Sequence, residues 1–336
     1  MIYSKALNEA LHRALGEDNR VVVLGEDISD PYGGAFKVSR GLTTAFPERV
    51  KTTPVSEQAI AGIAAGLALG GYRPIAEVMF GDFLSLCFDQ LLNHITKYNA
   101  MYAGQTTCPV MFRAPMGGHR GYGPTHSQSI EKHFLGMPHL RVLAASPYHA
   151  PHDAFADFLA KDDPVLFVEH KLLYPKHLTL PENGAVGDFM ARTESSPGVL
   201  PSVCLSLVPR EDCALTVVAY GYEAQLAASV IEKLGMEEEL FCELVVPAQI
   251  APVDYAPIEA SVASTRRLLT VEEGTAGWSW GVQIASSIQR TFFGKLAKPV
   301  EVLASQPTVI PGARRLEQEM LVGAHHIEQK IREALS

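Results

Sequence analysis

An α/β protein of two domains is what this sequence predicts, and three observations predict it. Short β-branched apolar runs alternate with longer helical patterns from end to end. The runs read as buried strands, as in a parallel sheet covered by helices on both faces. A stretch rich in Pro, Gly and Ser divides the alternation into two sets. Taken in order, the opening "MIYSKALNEALHRALGED" puts Ile2, Ala6, Leu7, Ala10, Leu11, Ala14 and Leu15 on one helical stripe, with charges opposite. It predicts a helix of the mature fold, not a signal peptide. Strands are predicted over 20–27, 73–80, 108–115, 141–146 and 164–170, with helices over 57–70, 82–103 and 149–161. From about 174 to 212 the pattern dissolves. The expected domains are therefore 1–175 and 213–336, joined by a linker over 176–212. The second set reads as the strand "ALTVVAY", a helix to Gly235, "FCELVV", a helix near 257–264, "RRLLTVEE", a helix from Trp278, "PVEVLAS", and a closing helix from about Arg314.

The 336 residues are 47% hydrophobic and 19% charged, ordinary for a globular protein. A net charge of -9 gives no electrostatic reason to expect nucleic acid or an anionic membrane surface as partner. Five cysteines, odd in number and without C-x-x-C spacing, sit in or beside apolar segments, which fits buried thiols in a reducing compartment. No run approaches the roughly 20 apolar residues of a membrane span. A cytoplasmic protein is expected.

The most informative stretch is "TTPVSEQAIAGIAAGLALGG", residues 52–71. Ser56 is a good N-cap, so Glu57 falls in the first helical turn, where the helix dipole favours an acid by about 0.3–1 kcal/mol. Capping alone would explain it. Gly62, Gly66 and Gly70, however, recur every four residues and leave one face nearly bare, predicting close packing within the fold or across a subunit interface. An acid starting such a helix is poorly hydrated, and an acid able to share a proton is a functional candidate.

Glu57, four residues, then Gly62-Ile63-Ala64-Ala65-Gly66 resembles the E-x4-G-Φ-x-x-G signature (Φ apolar) of the pyrimidine-binding domain of thiamin-diphosphate enzymes. "LGEDI", "YGGAFKVSRGL", "TPVSE", "RPIAEVMFGDF", "GYGPTHSQSIE", "DDPVLFVEHKLLY" and "VEEG" follow in order. Together they resemble the beta subunits of thiamin-dependent 2-oxo acid dehydrogenases (pyruvate, branched-chain 2-oxo acid) and of acetoin dehydrogenases. The fold implied is a transketolase-like pyrimidine-binding domain with a parallel sheet, followed by a transketolase C-terminal-type α/β domain.

By this resemblance Glu57 hydrogen-bonds a ring nitrogen of the cofactor's pyrimidine, which assists removal of the thiazolium proton. His126, in the glycine-rich "FRAPMGGHRGYGPTHSQS", faces the substrate channel; from residues alone it reads equally as a histidine bonded to backbone. His119 and His133 read as surface or loop residues. Phe83 matches the aromatic that stacks on the pyrimidine, and from residues alone is as well explained as core. No side-chain metal motif is present. The resemblance also implies structural potassium on backbone carbonyls of Phe158, Lys161 and Asp163.

The GDG motif, with its downstream Asn, through which such enzymes hold magnesium and diphosphate is absent; Gly81-Asp82-Phe83 and Gly187-Asp188-Phe189 are the nearest strings. Half a cofactor site implies an alpha subunit that carries magnesium and the diphosphate half, in an α2β2 heterotetramer. The glycine face of 62–70 is a candidate contact. Some relatives dock a lipoyl acyltransferase core and place an acid shortly before the proline matched by Pro311, where "ASQPTVIPGARRLE" has none. The expected activity is decarboxylation of a 2-oxo acid with acyl transfer to lipoamide. The alternatives are an acetoin-cleaving or acyloin-forming subunit, and a catalytically silent scaffold subunit.

Overall fold

Six parallel strands lie in the order β5-β6-β4-β3-β1-β2 and form the body of the first sheet. They are β1 (Val21–Glu26), β2 (Val50–Thr53), β3 (Arg73–Glu77), β4 (Met111–Met116), β5 (Arg141–Ala144) and β6 (Val165–His170). The computed structural model describes all 336 residues. β1 and β3 to β6 are buried along their whole length, which is why their sequences run apolar instead of alternating. The Tyr3–Glu17 helix covers one face with Ala6, Leu7, Ala10, Leu11, Ala14 and Leu15, as its stripe predicts, and Ile2 stays outside.

Two helical expectations differ from the structure. The single helix expected over 82–103 is three short pieces: a 3-10 turn Gly81–Cys87, a π-helical turn Gln90–Ile95 and the helix Tyr98–Met101. Thr96 explains part of the break, since its amide and its hydroxyl both donate to the Leu91 carbonyl five residues back, at 3.2 and 2.8 Å, which widens the turn. The closing helix is also split, into Arg314–Met320 and Ala324–Leu335.

The segment 176–212, expected to be a linker, instead supplies β7 (Ala185–Val186), β8 (Phe189–Glu194) and β9 (Ser202–Ser206). β10 (Leu215–Ala219), β11 (Cys242–Val246), β13 (Leu268–Thr275) and β14 (Glu301–Ser305) are parallel; β9 pairs antiparallel with β11, and β8 and β7 continue antiparallel in turn, giving the order β14-β13-β10-β11-β9-β8-β7. The wholly buried carboxylate of Glu243 on β11 joins Arg192 of β8 to Arg210, so ion pairs hold strands whose sequence is too polar to look like strands. β12 (Gln249–Ala251), from the second half, pairs antiparallel with β5 and completes the first sheet. The two halves are thereby joined through backbone as well as side chains. All five cysteines are free and buried, and no helix is long and apolar enough to cross a membrane.

The Glu57–Leu69 helix settles one open question about packing. A Cβ built on Gly62 or Gly66 meets no atom within 4 Å, and Ile63 and Leu69 beside them are 51% and 42% exposed. The bare face is not packed within the fold.

Candidate active site

β1, β3, β4 and β6 end at one edge of the first sheet, the carboxyl edge where open α/β sheets hold ligands. β1 ends in Glu26. Next to that end the Glu57–Leu69 helix begins, capped by Ser56, whose Oγ accepts from the Ala59 amide at 3.3 Å. Glu57 and Glu26 are both buried, 6% and 5% exposed, and Glu26 Oε1 has no partner. Burial raises the Glu26 carboxyl above its ordinary range, and the charge of Glu57 raises it further. Two buried acids therefore lie near one another at this edge. The signal for Glu26 was an acid closing an apolar strand, in "LGED".

Past β3, the 3-10 turn Gly81–Cys87 links the other expected residues. Cys87 Sγ donates to the Glu57 carbonyl at 3.3 Å. Phe83 meets the His126 ring edge-to-face, centroids 5.3 Å apart, and Phe80 does the same at 4.9 Å. Thr125 Oγ1 engages His126 Nδ1 at 3.1 Å, which leaves Nε2 for a ligand. Asp82 accepts from the amide and the side chain of Gln128, at 3.2 and 2.8 Å, tying the loop that bears His126 to the same turn. Glu57, Phe83 and His126 are thus gathered around one short segment.

A fourth residue escaped sequence reasoning. Lys171, directly after β6, is fully buried; its Nζ donates to the His126 carbonyl at 2.6 Å and lies 5.4 Å from the Phe80 ring centre. Burial pulls this ammonium down to about 8, although Asp82 and Glu273 act to raise it. A lysine in an apolar flank carries no spacing that would announce this.

The comparisons with known proteins concern the chain as a whole. Residues 1–176 match the pyrimidine-binding domain of transketolase, and residues 206–327 match the transketolase C-terminal domain. The pyruvate dehydrogenase E1 component subunit beta of Leifsonia xyli subsp. xyli is 34% identical over 337 residues, covering 99% of this chain and 94% of that one. The chain belongs to the family of thiamin-diphosphate-dependent 2-oxo acid dehydrogenase beta subunits. The mitochondrial pyruvate dehydrogenase E1 component subunit beta-1 of Arabidopsis thaliana is 33% identical, covering 95% of this chain and 85% of its own. The acetoin:2,6-dichlorophenolindophenol oxidoreductase subunit beta of Cupriavidus necator is 30% identical, covering 98% and 96%. A solved structure described as a split gene transketolase, inactive beta4 tetramer, superposes with a TM-score of 0.72 at 21% identity, over 100% of this chain and 99% of that one, and shares the fold.

In this beta-subunit chain a buried ion network braces the strands beneath the site. Arg113 on β4 bonds Glu77 on β3 at 2.9 Å and Glu169 on β6 at 2.7 and 3.0 Å, and Tyr174 donates to Glu169 at 2.6 Å. A second buried cluster spans the two domains. Glu273 of β13 bonds His170 Nε2 at 3.1 Å, and Glu223 lies beside them. His119, expected at the surface or in a loop, lies in the loop after β4 with a backbone φ of 62° and a buried Nε2 that has no hydrogen-bond partner, 3.6 Å from Glu273. Its placement follows from the β4 loop folding under the second domain. His170 is a poor metal ligand here, because the Leu172 amide donates to its Nδ1 at 3.1 Å and so fixes the proton on Nε2, facing Glu273.

The family's potassium reading meets a competing cation. The Lys161 carbonyl accepts from the Arg73 guanidinium at 2.5 Å, and Arg73 also pairs with Asp162; the Phe158 carbonyl accepts from the Lys161 amide. The Asp82 of the nearest GDG-like string is spent on Gln128, which leaves one of its oxygens buried and unpartnered.

Proposed function

We propose that this chain is the beta half of a thiamin-diphosphate-dependent 2-oxo acid dehydrogenase, which decarboxylates a 2-oxo acid and passes the acyl group to lipoamide. The observation that carries it is Glu57, buried at a capped helix start, with Phe83 and His126 drawn to the same turn. The residues fit the aminopyrimidine end of the cofactor: a buried acid beside an unpartnered Glu26 oxygen, next to an aromatic flank. When bound, thiamin diphosphate supplies the electron sink that lets a 2-oxo acid lose carbon dioxide. Glu57 would hydrogen-bond a ring nitrogen of the pyrimidine from its buried place at the helix start, with Glu26 beside it. Phe83 shapes the wall. His126 Nε2 donates to or accepts from the substrate oxygen, and Lys171 fixes its backbone.

The sequence carries no GDG motif with a downstream Asn, and an alpha subunit would bring magnesium and the diphosphate half. The expected assembly is α2β2, located in the cytoplasm. The exposed Gly62–Gly66 face and its apolar neighbours are a contact for such a partner. The Cupriavidus relative favours a second reading, the same cofactor chemistry applied to acetoin.

The test is co-purification from the source cells, followed by assay of the complex with the Glu57→Gln variant. A partner carrying GDG and a downstream Asn, and turnover of a 2-oxo acid reduced at least about 100-fold by Glu57→Gln with assembly intact, are expected. Unchanged turnover in that variant would remove Glu57 from the chemistry, and a chain that binds thiamin diphosphate alone would remove the partner.

A further inference from the structure

The loop that presents His126 is gripped from the second domain. It begins with Gly117 and Gly118 and contains Gly121 and Gly123; three of these four have positive φ, and a Cβ on Gly117 would lie 2.0 Å from His170 Nε2. Such backbone has many conformations to lose and little side-chain packing of its own to hold it. What holds it is carboxylate. Glu273 Oε1 accepts from the Gly118 amide at 3.0 Å and from Ser129 Oγ at 2.7 Å, so one oxygen joins the two ends of the loop. Glu317, wholly buried in the Arg314–Met320 helix, accepts from the Gly121 amide at 2.8 Å. Lys132, just beyond the loop, donates to Thr275 O and Oγ1, both at 2.8 Å. Each contact spans about 140 residues or more of sequence and crosses between the domains.

We infer that Glu273 and Glu317 are positioning residues: the second domain orients His126 by holding the backbone of residues 117–129 through two buried carboxylates. The inference rests on the reading of His126 as the substrate-facing imidazole. Glu273 is suited to the task because it stays ionised. Burial alone would raise its carboxyl, but the hydrogen bonds it accepts from His170 Nε2 and the Ser129 hydroxyl work against burial and hold it below its ordinary range. His170 is itself held in one tautomer by the Leu172 amide, so its proton is committed to Glu273. An ionised acceptor makes stronger hydrogen bonds to backbone amides than a neutral one does. Neither acid hydrogen-bonds the His126 ring. They act through the loop.

The test uses the full chain with its partner subunit and the variants Glu273→Gln and Glu317→Gln, each alone and combined with His126→Ala. Hydrogen exchange over 117–131, which needs no activity, is expected to quicken about tenfold or more in both variants, with the strands of the first sheet unchanged. In the active complex kcat is expected to fall about tenfold with KM changed less than twofold. That fall is expected to vanish when His126 is already Ala, because residues acting as one unit are not additive. Unaltered exchange and unaltered kcat in both variants would overturn the inference, as would a kcat loss that persists without His126. If the wild-type complex turns over no 2-oxo acid, the functional reading fails while the exchange result still decides the clamp. Two separate acids are tested, so poor folding of one variant leaves the other to decide.

Discussion

Lys171 Nζ donates to the carbonyl oxygen of His126 at 2.6 Å, so a fully buried ammonium holds the backbone of the residue at the mouth of the site. Burial lowers this lysine to about 8 in the folded chain, against about 10.5 when unfolded. Below pH 8 both states carry the charge and the whole penalty of burying it is felt. Between pH 8 and 10.5 the unfolded chain binds more protons, so the penalty fades and stability rises with pH. The span corresponds to about 3 kcal/mol. Melting temperatures of wild type and Lys171→Met, compared from pH 7 to 10, are expected to diverge in favour of wild type as pH rises. A constant difference across that range would mean the lysine keeps its ordinary affinity for protons.

The bare face of the Glu57–Leu69 helix predicts a separation between stability and assembly. Gly62 and Gly66 have open space where a Cβ would go, so a side chain at Gly66 starts free of contact with the rest of the fold. Replacing a helical glycine gains up to about 1 kcal/mol of helix propensity. The isolated Gly66→Leu variant is therefore expected to melt no lower than wild type, while native mass spectrometry finds it unable to join a partner. A complex of normal mass would place the contact elsewhere.

Arg113 predicts a steep response to one substitution and a mild one to another. With Arg113→Met, the buried carboxylates of Glu77 and Glu169 lose their cation, a change that costs about 3–5 kcal/mol. Tyr174→Phe removes one bond to Glu169 and leaves the ion pairs standing, at about 1–3 kcal/mol. Urea unfolding of the two variants measures both. A loss below about 1 kcal/mol for Arg113→Met would show that solvent enters the network.

How much of this was legible in the sequence depends on whether the signal is local. β1, β4 and β6 were readable because strands buried on both faces must be apolar throughout. Glu57 was marked by its spacing from Gly62 and Gly66, while Phe83 and His126 were picked out by the family resemblance; the Gly81–Cys87 turn touches the Glu57 backbone and bears Phe83, which meets His126. β8 was not readable, because "FMARTE" sits on an edge region whose strands are held partly by Arg192, Glu243 and Arg210, and its polar residues look like loop. The grip of Glu273 and Glu317 on the His126 loop was invisible for another reason. Its partners lie 144 to 196 residues apart, and an isolated glutamate carries no mark of the amide it will meet.

A half-buried histidine and a buried glutamate predict opposite responses to acid. His149 is lowered to about 4 by burial, with Nε2 facing the Pro201 carbonyl at 3.1 Å and Nδ1 facing Ser146 Oγ at 2.7 Å, the pattern of a neutral ring. Unfolded, it titrates near 6.5, so the unfolded chain takes up the extra proton and stability is lost as pH falls from 6.5 to 4. Glu131 is raised to about 7, chiefly by burial, while Tyr220 donates to it and works the other way. The folded chain keeps a proton that the unfolded chain releases above about 4.5, so stability is lost as pH rises through 7. Each span is about 3 kcal/mol, and the two nearly cancel in wild type between pH 4.5 and 6.5. Single variants expose them. Relative to wild type, His149→Gln is expected to lose stability as pH rises over this window, because the opposing slope of His149 is gone, and Glu131→Gln is expected to lose it as pH falls. Chemical denaturation at pH 4.5, 5.5 and 6.5 reads both slopes, and slopes equal to that of wild type would show that neither group is titrated as its burial implies.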